Sequence, residues 1–222
     1  MIDYIGSLSS LGYSGDTTEG GEEPGGGGAP EWVPEGSTLF MDFENAHYWD
    51  GDAEASLDTM LNQNDTYEVS AGRLTTPSSV KLAGVALSRV TDTGGFTIVI
   101  EGEFNQTFDN ILRLNDADSH DINTFIDGSS GVYVEEGEEF GAVQSSVAYV
   151  TNDPMKFALT LTPDKMSVSD RGSETATYAL NPELNWFAWD TFVLGEPGSK
   201  FKTITVYAPR DDVALPALST LA

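Results

Sequence analysis

The sequence predicts an all-β chain, a sandwich or barrel of short antiparallel strands, and three observations carry that expectation. Apolar and polar residues alternate with period two, most clearly in Phe201-Lys-Thr-Ile-Thr-Val-Tyr207 and Phe157-Ala-Leu-Thr-Leu161, the pattern of a strand with one face in a core. Turn signals fall between the runs, at Thr93-Gly94-Gly95, Asp127-Gly128, Asn152-Asp153-Pro154, Thr162-Pro163-Asp164 and Arg171-Gly172, where Gly, Asn and Pro supply the dihedral angles that reversals need. About a dozen such runs follow one another with no helix-length period between them, which argues against α/β.

In chain order, residues 1–14 carry spaced apolar side chains, Ile2, Tyr4, Ile5, Leu8, Leu11 and Tyr13. Gly6 and Gly12 weaken any isolated helix there. Residues 15–36 are a linker: ten of the seventeen residues from Gly20 to Gly36 are Gly or Pro, too few apolar groups to build a core. Residues 37–222 form the folded domain. Its expected strands are Thr38–Glu44, Tyr67–Val69, Arg73–Thr75, Val80–Leu87, Phe96–Phe104, Asn110–Leu114, Ile122–Ile126, Val132–Val134, Val143–Val150, Phe157–Leu161, Met166–Ser169, Thr175–Tyr178, Thr191–Leu194 and Phe201–Tyr207. Residues 54–63 are expected to form one short helical turn or a loop, and Ala46–Glu54 an aromatic, acidic loop.

The charge balance excludes several partners. The chain has 36 acidic and 10 basic residues, a net charge of −26, and fifteen Asp or Glu precede the first basic side chain, Arg73. Such a surface repels phosphate backbones and anionic lipid, so neither direct nucleic-acid binding nor membrane binding is expected. With no cysteine, disulfides, thiolate metal sites and cysteine nucleophiles are excluded together. No apolar run approaches a membrane span, and the N-terminus has neither a basic region nor an apolar stretch of signal-peptide length. An apolar tip on a Gly/Pro tether suits a segment that orders against a neighbouring subunit or host surface.

From about Thr38 to the end, the chain resembles the concanavalin A-like (laminin-G-like) jelly roll in the form common among bacteriophage structural proteins. Leu39-Phe-Met-Asp-Phe-Glu44 looks like its opening strand and Phe96-Thr-Ile-Val-Ile-Glu-Gly-Glu-Phe104 like a central strand. Phe157 to Ser169 looks like its hairpin. Phe201 to Arg210, then Ala214-Leu-Pro-Ala-Leu-Ser-Thr-Leu221, matches its closing segment. The resemblance implies an antiparallel β-sandwich with an N-terminal arm. It also implies a virion surface protein, a capsid decoration protein whose arm fastens the jelly roll to the major capsid or another virion protein, with self-association as a further contact. The alternative within the same fold is a carbohydrate-binding module of a tail fibre, spike or adhesin.

The sites weigh against catalysis. Hydrolases of this fold carry Glu-x-Asp-x-x-Glu on one strand; here Glu101 and Glu103 share a strand face but Phe104, Asn105 and Gln106 follow, so the distal acid is missing. The two histidines, His47 and His120, accompany no Gly-x-Ser-x-Gly turn. No catalytic residue and no cofactor is expected. The one metal candidate is a Ca²⁺ loop at Asn115-Asp-Ala-Asp-Ser-His-Asp121, with Asp116 and Asp118 as first ligands, although Asp121 stands where such a loop needs Gly. The candidate glycan or subunit contacts are the loop aromatics Tyr48, Trp49, Trp186 and Trp189.

Overall fold

A computed structural model describes residues 29–91, 94–104, 110–116, 121–129, 131–137, 141–180, 189–195 and 197–221, with Asp116 and Trp189 described in their backbone only. Residues 1–28, and with them the apolar tip and most of the linker, lie outside the described residues.

In chain order the strands are β1 (Ser37–Asp42), β2 (His47–Trp49), β3 (Glu68–Ser70), β4 (Arg73–Thr75), β5 (Val80–Lys81), β6 (Phe96–Glu103), β7 (Asn110–Asp116) and β8 (Asp121–Asp127). They continue with β9 (Gly131–Glu136), β10 (Gly141–Gln144), β11 (Pro154–Thr162), β12 (Lys165–Asp170), β13 (Ala176–Ala179), β14 (Trp189–Leu194) and β15 (Lys200–Tyr207). Among the described residues three short α-helices join them, α1 (Leu57–Met60), α2 (Gly84–Thr91) and α3 (Leu215–Ser219). The strands form two antiparallel sheets. One has nine strands, in the order β13-β12-β11-β6-β15-β1-β2 with β3 and β4 attached beside β15; the other has six, in the order β10-β9-β8-β7-β14-β5. The chain is an antiparallel jelly-roll β-sandwich, as the period-two pattern and the turn spacing predict.

The core lies between the sheets. Leu39 and Met41 of β1, Ile98 and Ile100 of β6, Leu159 and Leu161 of β11, and Ile204 and Val206 of β15 face Leu112 and Leu114 of β7, Ile122 and Ile126 of β8, Val132 and Val134 of β9, and Phe192 and Leu194 of β14. Phe96 and Phe192 meet edge to face across the two sheets with ring centres 6.5 Å apart, the orientation aromatic quadrupoles favour. β6 is buried on both faces from Phe96 to Ile100. Its outward Val99 packs with Ala158, Tyr207 and Leu215 beneath α3, and outward Thr97 shares a 2.6 Å hydroxyl contact with Thr160.

Three expected segments differ. Val80–Leu87 is strand only at Val80–Lys81, then becomes α2, because Ala86 and Val90, four residues apart, enter the core on one helix face. His47–Trp49, read as loop, is edge strand β2 paired with β1. Val143–Val150 shortens to Gly141–Gln144. Beyond it Tyr149 turns inward, accepting from the Phe104 N–H at 3.0 Å and donating to the Asp153 carbonyl at 2.7 Å. A buried phenol needs such partners, and here they override strand propensity. The short turn in residues 54–63 is α1.

Candidate functional site

The outer faces of the two sheets differ. On the nine-stranded sheet, α3 covers Val99, Ala158 and Tyr207, while Trp32 and Val33 pack over Phe40 and Trp49. Between these patches runs a ladder of ion pairs: Glu101 with Lys202 at 2.9 Å, Lys202 with Glu44 at 3.6 Å, and Glu103 with Lys200 at 3.5 Å. On the six-stranded sheet no described helix covers the outer face, since the buried residues of α1 and α2 belong to the inner core.

Strand register arranges that open face into rows. The central row runs from Lys81 on β5 through Val193 on β14, Arg113 on β7 and Asn123 on β8 to Glu135 on β9 and Ala142 on β10. One row sets Thr191 beside Asn115 and Asp121. The row on the other side sets Asn110, Phe125, Tyr133 and Gln144 side by side, with a bulge at Asn110–Leu112 that brings Asn110 to the outer face. Neighbouring strands are about 4.8 Å apart, so each row is a continuous line of side chains. Over β5, β14 and β7 the face sinks into an open groove of about 350 Å³ lined by Lys81, Asn110, Arg113, Asn115, Thr191 and Val193.

The chemistry of the face is polar and planar. The Asn123 amide donates to Asp121 Oδ2 at 2.9 Å, and Arg113 Nη2 stands 3.5 Å from the same oxygen. Asn123 is 7% exposed, and its Oδ1, like Asn110 Oδ1, is buried without a hydrogen-bond partner among the described residues. Unmatched acceptors of this kind are costly unless a donor arrives. Beside them Phe125 and Tyr133 pair with ring centres 6.3 Å apart at 41°. Amide oxygens that accept from hydroxyls, a guanidinium that donates, and partly exposed ring faces together suit a polyhydroxylated ligand.

The predicted site residues are scattered, and several lie outside the described residues. Trp49 is 6% exposed and packs with Val33 and Phe40. Tyr48 is half-buried against Phe43 at 6.0 Å, its phenol pushed up by burial and by Asp42. His47 stacks on Trp32 at 4.5 Å. Trp186 and the apolar tip, Ile2, Tyr4, Ile5, Leu8, Leu11 and Tyr13, lie outside the described residues, and Trp189 is placed only by its backbone, opposite Asp116 on the open sheet. In the expected Ca²⁺ loop, Asp118 lies outside the described residues, Asn115 lines the groove, and Asp121 is engaged by Asn123 and Arg113. No group of three or more metal-ligating side chains occurs among the described residues. The face residues Lys81, Arg113, Asn123, Phe125 and Tyr133 were not singled out from the sequence. Their signal was the outward half of each alternation, Arg113 and Asn115 on β7 and Asp121, Asn123 and Phe125 on β8.

No protein-family model matches the chain, and no curated protein matches it in sequence. Solved structures match it in fold. Domain 4 of AbnA, an extracellular GH43 arabinanase from Geobacillus stearothermophilus solved with arabinotriose, is similar at 11% identity and a TM-score of 0.57, over 83% of this chain and 98% of that one. Trypanosoma rangeli sialidase is similar at 12% identity and a TM-score of 0.57, over 85% of this chain and 33% of that one. The binding domain of botulinum neurotoxin DC, solved with SialylT, is similar at 9% identity and a TM-score of 0.55, over 83% of this chain and 51% of that one. This chain therefore spans about a third of the sialidase and half of the neurotoxin domain, and nearly all of the arabinanase domain. Fold and face together define a β-sandwich module with one groove-bearing sheet that no helix among the described residues covers.

Proposed function

We propose that this chain is a non-catalytic carbohydrate-binding domain whose ligand lies on the outer face of the six-stranded sheet. The observation that carries the reading is the groove itself. Arg113, Asn110 and Asn115 line it, the amide oxygens of Asn110 and Asn123 have no hydrogen-bond partner among the described residues, and the Phe125–Tyr133 pair lies beside it. Sugar hydroxyls would satisfy those oxygens, and a ring face would stack on exposed Tyr133 carbon. Support comes from the arabinanase domain, similar over its whole length and solved with arabinotriose. Binding rather than hydrolysis is favoured because Glu101 and Glu103 are held by Lys202 and Lys200 on the opposite sheet.

A glycan array followed by titration calorimetry tests this. Asn115→Ala and Tyr133→Ala should each weaken the best ligand by about tenfold, roughly 1.4 kcal/mol, with Tm unchanged, and no glycoside should be turned over. Unchanged binding in both variants, or hydrolysis of the ligand, overturns the reading.

A second reading, decoration of a virus particle, rests on the sequence: the apolar side chains of residues 1–14 precede the Gly/Pro tether, a design that raises the local concentration of a tethered domain. Co-sedimentation with empty capsids, lost on removing residues 1–30, is its test.

A further inference from the structure

The cations of this chain are scarce and mostly spent. Arg89 holds Asp52 at 2.6 Å, Lys165 holds Asp212 at 2.8 Å, and Arg171 and Lys202 hold Asp170 and Glu101 at 2.9 Å. Two others line the groove. Lys81 makes no ion pair among the described residues and is exposed. Arg113 is 45% exposed in its side chain and, among the described residues, reaches one carboxylate oxygen, at 3.5 Å. Val193 lies between them in register with both, so their backbones are two strand spacings apart, about 10 Å. Their long side chains flank an aliphatic floor.

We infer that the sugar taken by this groove carries a carboxylate, seated over Val193 between Lys81 and Arg113. This rests on the glycan reading above. A neutral sugar needs hydroxyl acceptors and donors but no cations. In a protein of charge −26, the long-range field opposes an anion, so an acidic ligand requires cations within about a Debye length, 8–10 Å. The groove has two, one of them a guanidinium whose fork fits a carboxylate with two parallel hydrogen bonds. Asp121, Asp127 and Glu135 of the same face lie on β8 and β9, and at the sheet edge Asp65 Oδ2 accepts from the Lys81 backbone N–H at 2.8 Å. The two cations stand on the β5 and β7 side of the groove, which sets the carboxylate there and the hydroxyls toward Asn123 and Tyr133.

Matched probes test the inference. Trigalacturonate is compared with its methyl ester, and 3′-sialyllactose with lactose, by calorimetry on the full chain at 20 and 300 mM NaCl. At least one acid should bind about tenfold more tightly than its neutral partner at low salt, and the ratio should shrink at high salt. Lys81→Met and Arg113→Gln should each bring the ratio toward one, Arg113→Lys should restore part of it, and Lys156→Met on the opposite sheet should leave it unchanged. Equal binding of acid and neutral partner in both pairs overturns the carboxylate inference while leaving the glycan reading in place. Absence of binding to all four probes and to a broad glycan array overturns both.

Discussion

Glu136 is the least conventional residue of the sandwich. It closes β9 opposite Ile122 and Gly141, is 0% exposed, and neither carboxylate oxygen finds a hydrogen bond among the described residues. Burial pushes its carboxyl from 4.5 up to about 7. The folded state therefore binds a proton between pH 4.5 and 7 that the unfolded chain has already released. Stability contributed by this group is complete below 4.5 and declines as pH rises toward 7. Glu136→Gln removes that titration and leaves an amide of the same shape. At pH 8 it should stabilise the protein by about 1–2 kcal/mol, and at pH 4 it should give no such gain. Chemical denaturation at the two pH values checks this, and an equal effect at both would sink the assignment. Asp212 acts in the opposite sense, its carboxyl lowered because hydrogen bonds from Lys165, Ser167 and Thr177 and the Lys165 charge outweigh its burial. The variant comparison isolates Glu136 from it.

Among the elements, α3 covers the outer face of the nine-stranded sheet, opposite the proposed binding face. It is a helix of five residues, too short to be stable alone, and it survives through what it covers. Leu215 is 0% exposed against Val99, Ala158 and Tyr207. Ser219 Oγ meets Ser169 Oγ at 2.9 Å and accepts from the Gly172 N–H at 3.1 Å. Leu215→Ala leaves a cavity on the outer face of the nine-stranded sheet and should cost about 2–4 kcal/mol, a Tm fall of roughly 5–10 °C. Glycan affinity should stay within about twofold, because the groove lies on the other sheet. Differential scanning calorimetry paired with the glycan titration separates the two effects, and a loss of affinity without a loss of stability would contradict this division of labour.

For the whole molecule, charge is the dominant variable. Seven of the ten basic residues join ion pairs among the described residues, and the large acidic excess repels itself across the surface. Screening relieves that repulsion in the compact state more than in the expanded one. Raising NaCl from 20 to 500 mM should lift Tm by about 3–5 °C, with a single cooperative transition because one core joins the two sheets. A flat or falling Tm would show that self-repulsion is unimportant. The same screening should weaken an acidic sugar in the groove, so stability and affinity should respond to salt with opposite signs.

The sequence by itself determined the sandwich. Period-two alternation in Phe157–Leu161 and Phe201–Tyr207, and turn residues such as Asp127-Gly128 and Asn152-Asp153-Pro154, are local properties, and local sterics and patterning suffice to read them. Its reading failed where a contact distant in sequence outweighed propensity. Val85 to Val90 became helical because the core accepts Ala86 and Val90, and Tyr149 left its strand for the carbonyl of Asp153 and the backbone of Phe104. Trp49, a candidate glycan or subunit contact, is covered by Val33 of the preceding segment. The groove was hidden for the same reason. Alternation along β7 and β8 tells that Arg113, Asn115, Asn123 and Phe125 share the face away from the core. It does not tell that β5 and β14, more than a hundred residues apart, bring Lys81 and Val193 into the same row. Nor does it tell that α3 would cover the other sheet and not this one. A strand writes its own two faces into its sequence, but its neighbours and its cover are chosen by the packing of the whole chain.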